Sequence, residues 1–465
     1  MAEPLVDIAL SPRQIPSDML ARYSTSAPRY TSYPTAPQFT ADFDIERIAA
    51  AWRQSSISAA GLSLYIHIPF CQSRCLYCGC FTEIGHDAAA VDDYLAALFT
   101  EMDRLVELTG NLPAVEQLAL GGGTPVFLNP AQMRRLVAGM ERRFTFAHGA
   151  ERSLEMDPRR LDTDYLDMLV DVGFNRFSFG VQDLEPDVQR KVGRRLAPEK
   201  LDELVAHLRR RGRTAVNMDL IYGLPGQTEE TFGRTIRRIM EFRPPRIALF
   251  GYAHVPWVSP HQQTLEQYHL PNPAERMNLF GLAFEMLLAA GYRHVGMDHF
   301  ALPEDELIRA LDRRSLTRNF MGYTTRRGLD LMGLGASAIS SVGRTYCQNI
   351  KDIAAYRERA AGGTWVKGLW LSDEDLLRRE IILDLFCNFH LDLARVSQAH
   401  QLDFKVHFAT ELEKLRPLAD DGLLQTGKSA LSVTPLGRFF IRNICMVFDQ
   451  YLAGEERERR YSRTV

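Results

Sequence analysis

Short apolar runs alternate with amphipathic stretches over the first two thirds of the chain. The strand-like runs are Leu62–Ile68, Val115–Leu120, Ser153–Met156, Arg176–Phe179, Ala215–Leu220 and Ile247–Phe250, with Tyr292–Met297 as a weaker seventh candidate. Apolar residues recur at helical spacing over about 91–109, 131–144, 162–172, 199–212, 228–242 and 274–290. Alternation of this kind predicts parallel strands with crossover helices. Six or seven such units favour an α/β fold, a partial TIM-type (β/α)6 barrel, over a doubly wound sheet.

The two ends of the chain lack this rhythm. The first 60 residues are irregular and rich in proline, apart from a short helix predicted at 45–54. After residue 350 helices dominate, and a small hairpin near Leu431–Val433 precedes a last helix from about residue 434. We therefore predict three parts: an N-terminal arm (1–60), the partial barrel (61–350) and a mostly helical, winged-helix-like C-terminal domain (351–465).

Composition and charge narrow the class of protein. The 465 residues include 55 Lys and Arg against 58 Asp and Glu, a net charge of −3. A nucleic-acid-binding protein normally shows a basic excess, so the winged-helix-like unit is interpreted as a lid or packing domain. The N-terminus has no basic flank before an apolar run, which argues against a signal peptide. No stretch approaches the ~18 apolar residues of a membrane span. We expect a cytoplasmic protein that binds neither nucleic acid nor membrane.

Residues suited to chemistry follow each strand-like run. In a barrel of parallel strands these positions meet at one rim, where active sites form. The segments are Pro69-Phe70-Cys71, Gly121–Pro125, Glu155–Pro158, Gly180–Asp183, Asp219 with Tyr222–Pro225, and Gly251–Pro256. Glycines, carboxylates, amides and a thiol at six strand ends predict one shared polar site.

Four of the seven cysteines crowd into ten positions, with the spacing C-x3-C-x2-C-x-C from Cys71 to Cys80. Thiolates suit zinc, Cu(I) and iron–sulfur clusters. A structural zinc site typically uses two separated pairs, whereas three close cysteines can hold three irons of a cubane. The spacing favours an iron–sulfur cluster but leaves zinc and redox thiols open. The other cysteines, Cys347, Cys387 and Cys445, are predicted core thiols.

The motif C-x3-C-x-aromatic-C, with Tyr77 as the aromatic residue, resembles the signature of the radical SAM superfamily. A GGGTP loop after the second run resembles the family's glycine segment that approaches S-adenosylmethionine (SAM), a close approach that glycine permits. The resemblance implies that Cys71, Cys75 and Cys78 bind a [4Fe–4S] cluster and that SAM binds the fourth iron. Electron transfer from the cluster then cleaves SAM to a 5′-deoxyadenosyl radical. Cys80 is expected near the cluster but not as a ligand.

Further motifs from RYTSYPT (Arg29–Thr35) to RNICMVFD near the C-terminus resemble the bacterial oxygen-independent coproporphyrinogen III oxidases, a radical SAM family. This implies decarboxylation of two propionates of coproporphyrinogen III to vinyl groups in heme biosynthesis. It also implies two SAM molecules and a small electron donor such as a flavodoxin or ferredoxin. We expect a monomer.

Three alternatives stand beside this interpretation: a heme chaperone of the same superfamily, a methyltransferase on a similar scaffold, and a structural zinc protein. The chaperone is expected to lack Cys80, the RYTSYPT arm and the RNICMVF ending. All three are present in this sequence, which favours the oxidase.

Motif by motif, the resemblance assigns SAM-site roles to eleven residues: Tyr65, Tyr77, Gly122, Gly123, Thr124, Glu155, Gln182, Arg194, Asp219, Ala253 and Ile339. Glu155 and Asp219 would accept hydrogen bonds from an ammonium or from ribose hydroxyls, and Arg194 would bind a SAM carboxylate bidentately. Ala253 and Ile339 would offer apolar contact. Glu155 joins the three cysteines in the predicted catalytic set.

Ordinary structural roles compete with several of these assignments. Tyr65 and Ile339 are also compatible with a core position, Gln182 with loop bracing, Arg194 with the surface and His67 with a hydrogen-bonded core histidine. The family pattern N-F-Q-G-Y-T-T has Met321 in place of glutamine here, which predicts a pocket that differs in detail. Arg22, Arg29 and Arg318 are candidates for the substrate carboxylates.

Overall fold

The strands of the protein follow the predicted apolar runs closely. The computed structural model describes residues 10–54, 60–110, 112–452, 461 and 463. Its strands are β1 Leu62–Ile68, β2 Phe70–Cys71, β3 Glu83–Ile84, β4 Val115–Gly122, β5 Phe146–Met156, β6 Arg176–Gln182, β7 Val216–Tyr222, β8 Arg246–Gly251, β9 Arg293–Gly296, β10 His299–Ala301, β11 Thr317–Asn319, β12 Gly322–Thr324, β13 Asp330–Leu334, β14 Ile339–Val342, β15 Thr345–Asn349, β16 Trp365–Trp370, β17 His390–Asp392, β18 Leu424–Thr426 and β19 Ala430–Val433.

The helices predicted between residues 45 and 290 begin and end within a few residues of their predicted bounds, whereas the last helix begins at Ile441 rather than near residue 434. The helices are α1 Ser17–Tyr23, α2 Ile45–Gln54, α3 Ala88–Thr109, α4 Pro130–Glu141, α5 Thr163–Asp171, α6 Pro186–Lys191, α7 Pro198–Arg210, α8 Glu229–Phe242, α9 Pro273–Ala289, α10 Glu306–Asp312, α11 Ile353–Arg359, α12 Asp373–Asn388, α13 Leu393–His400, α14 Phe404–His407, α15 Ala409–Asp420 and α16 Ile441–Met446. Capping boxes at Asn129, Thr228 and Asn272 start α4, α8 and α9. Within the described ranges, no helix is long and apolar enough to cross a membrane.

One twelve-stranded sheet carries the predicted α/β unit. Its order is β16-β15-β14-β13-β1-β4-β5-β6-β7-β8-β10-β9. The six predicted runs form β1 and β4 to β8, which pair in parallel. Their carboxyl ends therefore lie at the same edge of the sheet, as the sequence predicted. The expected α/β class is confirmed.

The seventh parallel strand is not the one that the sequence suggested. The segment at Arg293–Gly296 is a strand, but it joins the sheet through antiparallel pairing with β10. The strand that pairs in parallel with β1 is β13, Asp330–Leu334. Glycine at 333 weakens the apolar strand pattern there. A Cβ on Gly333 would lie 2.3 Å from the carbonyl oxygen of Ile339, so the close approach of this backbone requires glycine.

A second core joins the two ends of the chain. Tyr30 and Tyr33 from the N-terminal segment are buried among side chains of α12 and α16 and of the strands β17 and β19. Strands β17, β19 and β18 form a three-stranded sheet beside these helices. The predicted divisions at residues 60 and 350 stay predictions. The large sheet itself continues beyond residue 350, because β16 pairs with β15.

Candidate functional site

The cysteine loop begins where β1 ends and is fixed by contacts from other loops. Cys75 is buried, Cys71 and Cys78 are half-buried and Cys80 is exposed. The side chain of His261 donates to the Cys78 carbonyl at 2.8 Å, and that of Gln262 donates to the Tyr77 carbonyl at 2.9 Å. These bonds hold the loop backbone, so its position does not depend on the thiols alone.

The thiols of the loop differ in their acidity. Burial, reinforced by the neighbouring Cys78 and Cys75, raises the pKa of Cys71 to about 12. A hydrogen bond with Cys80 lowers the pKa of Cys78 to about 6. Metal binding requires deprotonated thiols and therefore displaces the Cys71 proton. Among the described residues, no group of three or more His, Cys, Asp or Glu converges on a single-ion site.

Arg194 lies under this loop and is buried, so the competing surface assignment is wrong. Its guanidinium donates to both Asp157 oxygens, at 3.2 and 3.3 Å, and to the Cys75 sulfur at 3.4 Å. It also donates to the Gly180 carbonyl. Both terminal nitrogens are therefore engaged by the protein. In this arrangement Arg194 positions Asp157 and Cys75, and its assignment to a SAM carboxylate stays a prediction.

The GGGTP loop packs against β1 and the start of the cysteine loop through positions that need glycine. Gly122 has φ +113°, and a Cβ there would lie 2.7 Å from the His67 ring. A Cβ on Gly123 would lie 2.6 Å from the Phe70 carbonyl oxygen. The hydroxyl of Thr124 accepts a hydrogen bond from the Asp157 amide at 3.2 Å. Cys71, Thr124 and Asp157 line one small pocket of about 190 Å³.

A larger cavity of about 420 Å³ lies at the sheet and is called the barrel cavity below. Tyr65, Glu155, Asp219 and Ile339 line it, as does Met321, the residue that was expected to alter this pocket in detail. The core alternatives for Tyr65 and Ile339 are thus not what the structure shows, since both face this cavity. Four of the eleven predicted SAM-site residues meet here.

Two carboxylic acids in the barrel cavity have raised pKa values. Burial, then the charge of Asp219, raises the pKa of Glu155 to about 7, although the Gly122 amide donates a hydrogen bond to Glu155. Burial raises the pKa of Asp219 to about 6 against hydrogen bonds from Ser178 at 3.0 Å and Asn217 at 2.7 Å. Strongly perturbed carboxylates inside a cavity are typical of functional sites.

His67 braces Tyr65 at the wall of the same cavity. Its Nε2 lies 3.1 Å from the Phe81 carbonyl, which accepts only, so Nε2 carries the proton. Its Nδ1 then accepts from the Tyr65 hydroxyl at 3.0 Å. Burial lowers the pKa of His67 to about 4, which keeps the ring neutral. The core-histidine interpretation is therefore compatible with a role in orienting Tyr65.

The remaining predicted residues lie around rather than in the barrel cavity. Tyr77 hydrogen-bonds Cys75 and packs against the apolar cluster that contains Val188 and Leu224. Gln182 has φ +70°, and its buried side-chain oxygen has no partner among the described residues. Ala253 lines a different cavity on the far side of the β8 end. The structure thus brings the predicted residues to one edge of the sheet, but it distributes them among the barrel cavity, the small pocket beside Cys71 and the cavity that contains Ala253.

These features fit a cluster and SAM. Three thiols lie on one loop at the carboxyl edge of the sheet. The GGGTP loop approaches His67 and Phe70 so closely that no side chain fits at Gly122 or Gly123. The side-chain oxygen of Gln182 is buried and accepts no hydrogen bond from the described residues. Glu155 is a buried carboxylic acid with a raised pKa, and a cationic ligand beside it would favour its ionised form.

The sequence analysis missed Asp157 as the partner of Arg194. It also named only Arg29 among the five arginines that line the cavity containing Ala253, which are Arg29, Arg276, Arg438, Arg442 and Arg463. Asp157 lies two residues after Glu155, within the segment Glu155–Pro158 that the sequence analysis assigned to the polar site. The arginines are far apart in the sequence and carry no local signal. Arg22, one of the three arginines suggested for substrate carboxylates, pairs with Asp421 at 2.7 Å and lines neither of the two large cavities at the sheet.

Comparison with known proteins decides the family. The Radical SAM superfamily model matches residues 65–239, and the HemN C-terminal domain model matches residues 371–440. The chain is 42% identical to the oxygen-independent coproporphyrinogen III oxidase of Escherichia coli K12, over 98% of this chain and 100% of that protein. The chain belongs to the oxygen-independent coproporphyrinogen III oxidase family.

Other members of the family agree in length and in fold. The oxidase of Pseudomonas aeruginosa is 39% identical, with 97% of this chain and 98% of that protein covered. The solved structure of the E. coli enzyme, described as a radical SAM enzyme, superposes with a TM-score of 0.89 at 41% identity. It covers 94% of this chain and 99% of that one. Enzymes of the radical SAM superfamily use a [4Fe–4S] cluster and SAM.

Proposed function

We propose that this protein catalyses the oxygen-independent oxidative decarboxylation of coproporphyrinogen III to protoporphyrinogen IX. The observation that carries the proposal is the family relationship at 37–42% identity over nearly the whole chain. In the overall reaction each of two propionate side chains loses one hydrogen atom, one electron and CO2 and becomes a vinyl group. Two SAM molecules are consumed for the two propionates.

The proposed cluster ligands are Cys71, Cys75 and Cys78. When bound, the cluster supplies the electron that cleaves SAM to methionine and the 5′-deoxyadenosyl radical. Cys71 and Cys78 are accessible from the loop surface, and Cys75 receives a hydrogen bond from Arg194 at 3.4 Å. A cationic donor on a thiolate stabilises its charge. The exposed Cys80 is proposed to remain a free thiol beside the cluster.

The proposed SAM-binding residues act by charge and shape. Glu155 and Asp219 accept hydrogen bonds from ammonium or hydroxyl groups, and Tyr65 and Ile339 pack on the apolar parts of the cofactor. Gly122, Gly123 and Thr124 allow the backbone to approach closely, while Tyr77, Gln182 and Ala253 complete the surroundings. Arg194 contributes indirectly, since it fixes Asp157 and Cys75.

The reaction requires partners other than the substrate. We propose a small electron donor such as a flavodoxin or ferredoxin, a cytoplasmic location and a monomeric enzyme. The cysteine loop lies at the protein surface, with Cys80 exposed, which allows electron transfer over a short distance.

An anaerobic turnover assay tests the proposal. The reconstituted protein receives coproporphyrinogen III, SAM and a chemical reductant, and the porphyrins are separated after reoxidation. We expect protoporphyrin with two CO2 released per molecule. Absence of decarboxylated product, with heme bound tightly instead, would support the chaperone alternative and overturn the proposal.

A further inference from the structure

A second large cavity, of about 430 Å³, lies beside the barrel cavity. Five arginines line it, and we call it the arginine cavity: Arg29, Arg276, Arg438, Arg442 and Arg463. The two cavities share a wall. Phe250 lines the barrel cavity and the next residue, Gly251, lines the arginine cavity; His299 and Asp298 are divided in the same way. A molecule in one cavity therefore lies next to a molecule in the other.

The two cavities differ in charge. The lining of the barrel cavity includes Glu151, Glu155 and Asp219, and its arginines are neutralised, for example Arg176 by Glu151 at 2.8 Å. Among the described residues that line the arginine cavity, five are arginines and one, Asp298, is a carboxylate, which forms an ion pair with Arg29. The protein as a whole has a net charge of −3, so this local cationic excess is specific to the cavity.

Arginines crowd one another in this cavity, and one of them, Arg276, lacks a carboxylate partner among the described residues. Arg276 is half-buried and forms no ion pair with a carboxylate within the described part of the chain. Burial, together with nearby Arg318, lowers the pKa of Arg29 to about 10. Burial and Arg29 lower the pKa of Arg442 to about 9. A bound polyanion would relieve this repulsion.

Apolar surface completes the cavity. Tyr222, Phe280 and Phe439 line its walls. Trp257 also lines it, and the residue is 64% exposed, which is unusual for a large aromatic residue. The arginine cavity thus combines cations with an aromatic surface at its edge.

We propose that the arginine cavity binds the substrate as a polycarboxylate tetrapyrrole, with its arginines on propionate groups and Trp257 and Phe280 against the apolar macrocycle. This inference rests on the proposed function and adds the residues that bind the substrate. The cationic SAM fits the acidic barrel cavity and the anionic substrate fits the arginine cavity. The shared wall then places a propionate of the substrate next to the cofactor.

The proposal also explains two segments at the ends of the chain. Arg29 belongs to the RYTSYPT arm and Arg442 to the RNICMVF segment. Arg442 donates to the carbonyl oxygens of Ala27 and Pro28, at 3.1 Å for Pro28, and of Arg463 at 2.5 Å. The cavity is therefore assembled by packing the arm and the C-terminal segment against the barrel.

Equilibrium binding of coproporphyrin III, followed by fluorescence, tests the proposal on the full-length, cluster-reconstituted protein. We expect Arg276→Gln to raise the Kd at least about tenfold, because one charge-assisted hydrogen-bonding partner is lost. Arg276→Lys keeps the charge and should recover part of the affinity. Arg416→Gln, which removes a 71%-exposed arginine far from the cavity, should leave the Kd unchanged.

The coproporphyrin tetramethyl ester separates charge recognition from apolar packing. The ester should bind the wild type and Arg276→Gln equally. An unchanged Kd for the free acid in Arg276→Gln, or an equal loss for acid and ester, would overturn the inference. Matching circular dichroism and unfolding midpoints establish that the variant is folded.

Kinetics distinguish this inference from the proposed function. We expect Arg276→Gln to raise the KM for coproporphyrinogen III with kcat nearly unchanged, as for loss of uniform binding. If the wild type turns over coproporphyrinogen III but Arg276→Gln has the same KM, the assignment of the arginine cavity is wrong while the proposed function stands. Arginine-dependent porphyrin binding without any decarboxylation would support the cavity and refute the proposed function.

Discussion

Arg194 holds Asp157 through both terminal nitrogens, at 3.2 and 3.3 Å, and reaches the Cys75 sulfur at 3.4 Å with the same guanidinium. Arg159 approaches the same carboxylate at 2.6 Å. Although burial opposes ionisation, the hydrogen bonds from Arg159 and the charge of Arg194 hold the pKa of Asp157 below its ordinary value. The ion pair thus connects the segment after β5 to the cysteine loop and fixes the position of one proposed cluster ligand, Cys75.

Arg194→Lys should destabilise the protein and disturb the cluster site. Lysine retains the charge but cannot form the fork to Asp157 together with the bonds to Gly180 and Cys75. We expect the free energy of unfolding to fall by about 1–3 kcal/mol, measured by urea denaturation, and the iron content after reconstitution to fall as well. Arg195→Lys is the matched control because the neighbouring Arg195 is exposed. Equal stability of the two variants would contradict this assignment.

Gly122→Ala should prevent the GGGTP loop from packing correctly against His67 on β1. The residue has φ +113°, and the added Cβ would lie 2.7 Å from the His67 ring, which is fixed by Tyr65 and Phe81. We expect a loss of unfolding free energy of about 1–3 kcal/mol and weaker SAM binding, measured by isothermal titration calorimetry. Gly362→Ala, where the backbone is unstrained and the nearest atom is 4.0 Å away, should be tolerated. A Gly122→Ala protein with normal stability and SAM affinity would show that the close approach is unimportant.

SAM affinity should depend on pH through Glu155. The pKa of this carboxyl is raised to about 7, and its proposed role as acceptor for a cationic ligand requires the ionised form. As the pH falls below 7, binding must release a proton, so the Kd should rise by up to about tenfold per pH unit. Asp219, with a pKa near 6, adds to the slope below pH 6.

The Glu155→Gln variant separates these contributions. It should bind SAM more weakly at pH 8 and lose the dependence between pH 6 and 8. The measurement is calorimetric titration of SAM into reconstituted protein across this range. The same slope in the variant as in the wild type would exclude Glu155 as the titrating group.

Cys80 and Cys71 should respond differently to substitution. Cys71→Ser removes a proposed ligand and should abolish both the brown colour and activity, whereas Cys80→Ser should keep about four irons per chain. Iron and sulfide analysis after anaerobic reconstitution provides the measurement. Loss of the cluster in Cys80→Ser, or retention of the full cluster in Cys71→Ser, would require a different ligand set.

The sequence predicted the parts of this site that depend on local pattern. Nearly every side chain of the apolar run Leu62–Ile68 is buried, so the sequence reveals this strand. The glycines at 121–123 likewise mark the place where the backbone approaches neighbouring residues closely. Strand β13 was missed because Gly333, required by contact with Ile339, weakens its pattern. The Arg194–Asp157 pair and the arginine cavity depend on residues distant in sequence. Such contacts arise from tertiary packing, for which spacing along the chain gives no signal.

Transfer of hydrogen from the substrate to the 5′-deoxyadenosyl group is the step that distinguishes a radical decarboxylase from a protein that only binds SAM. Coproporphyrinogen III deuterated at the β carbons of its propionates is incubated anaerobically with the reconstituted protein, SAM and a reductant, and 5′-deoxyadenosine is analysed by mass spectrometry. We expect one deuterium in each 5′-deoxyadenosine and two such molecules for each protoporphyrinogen IX. Formation of unlabelled 5′-deoxyadenosine only, with the deuterated substrate recovered intact, would contradict the proposed function.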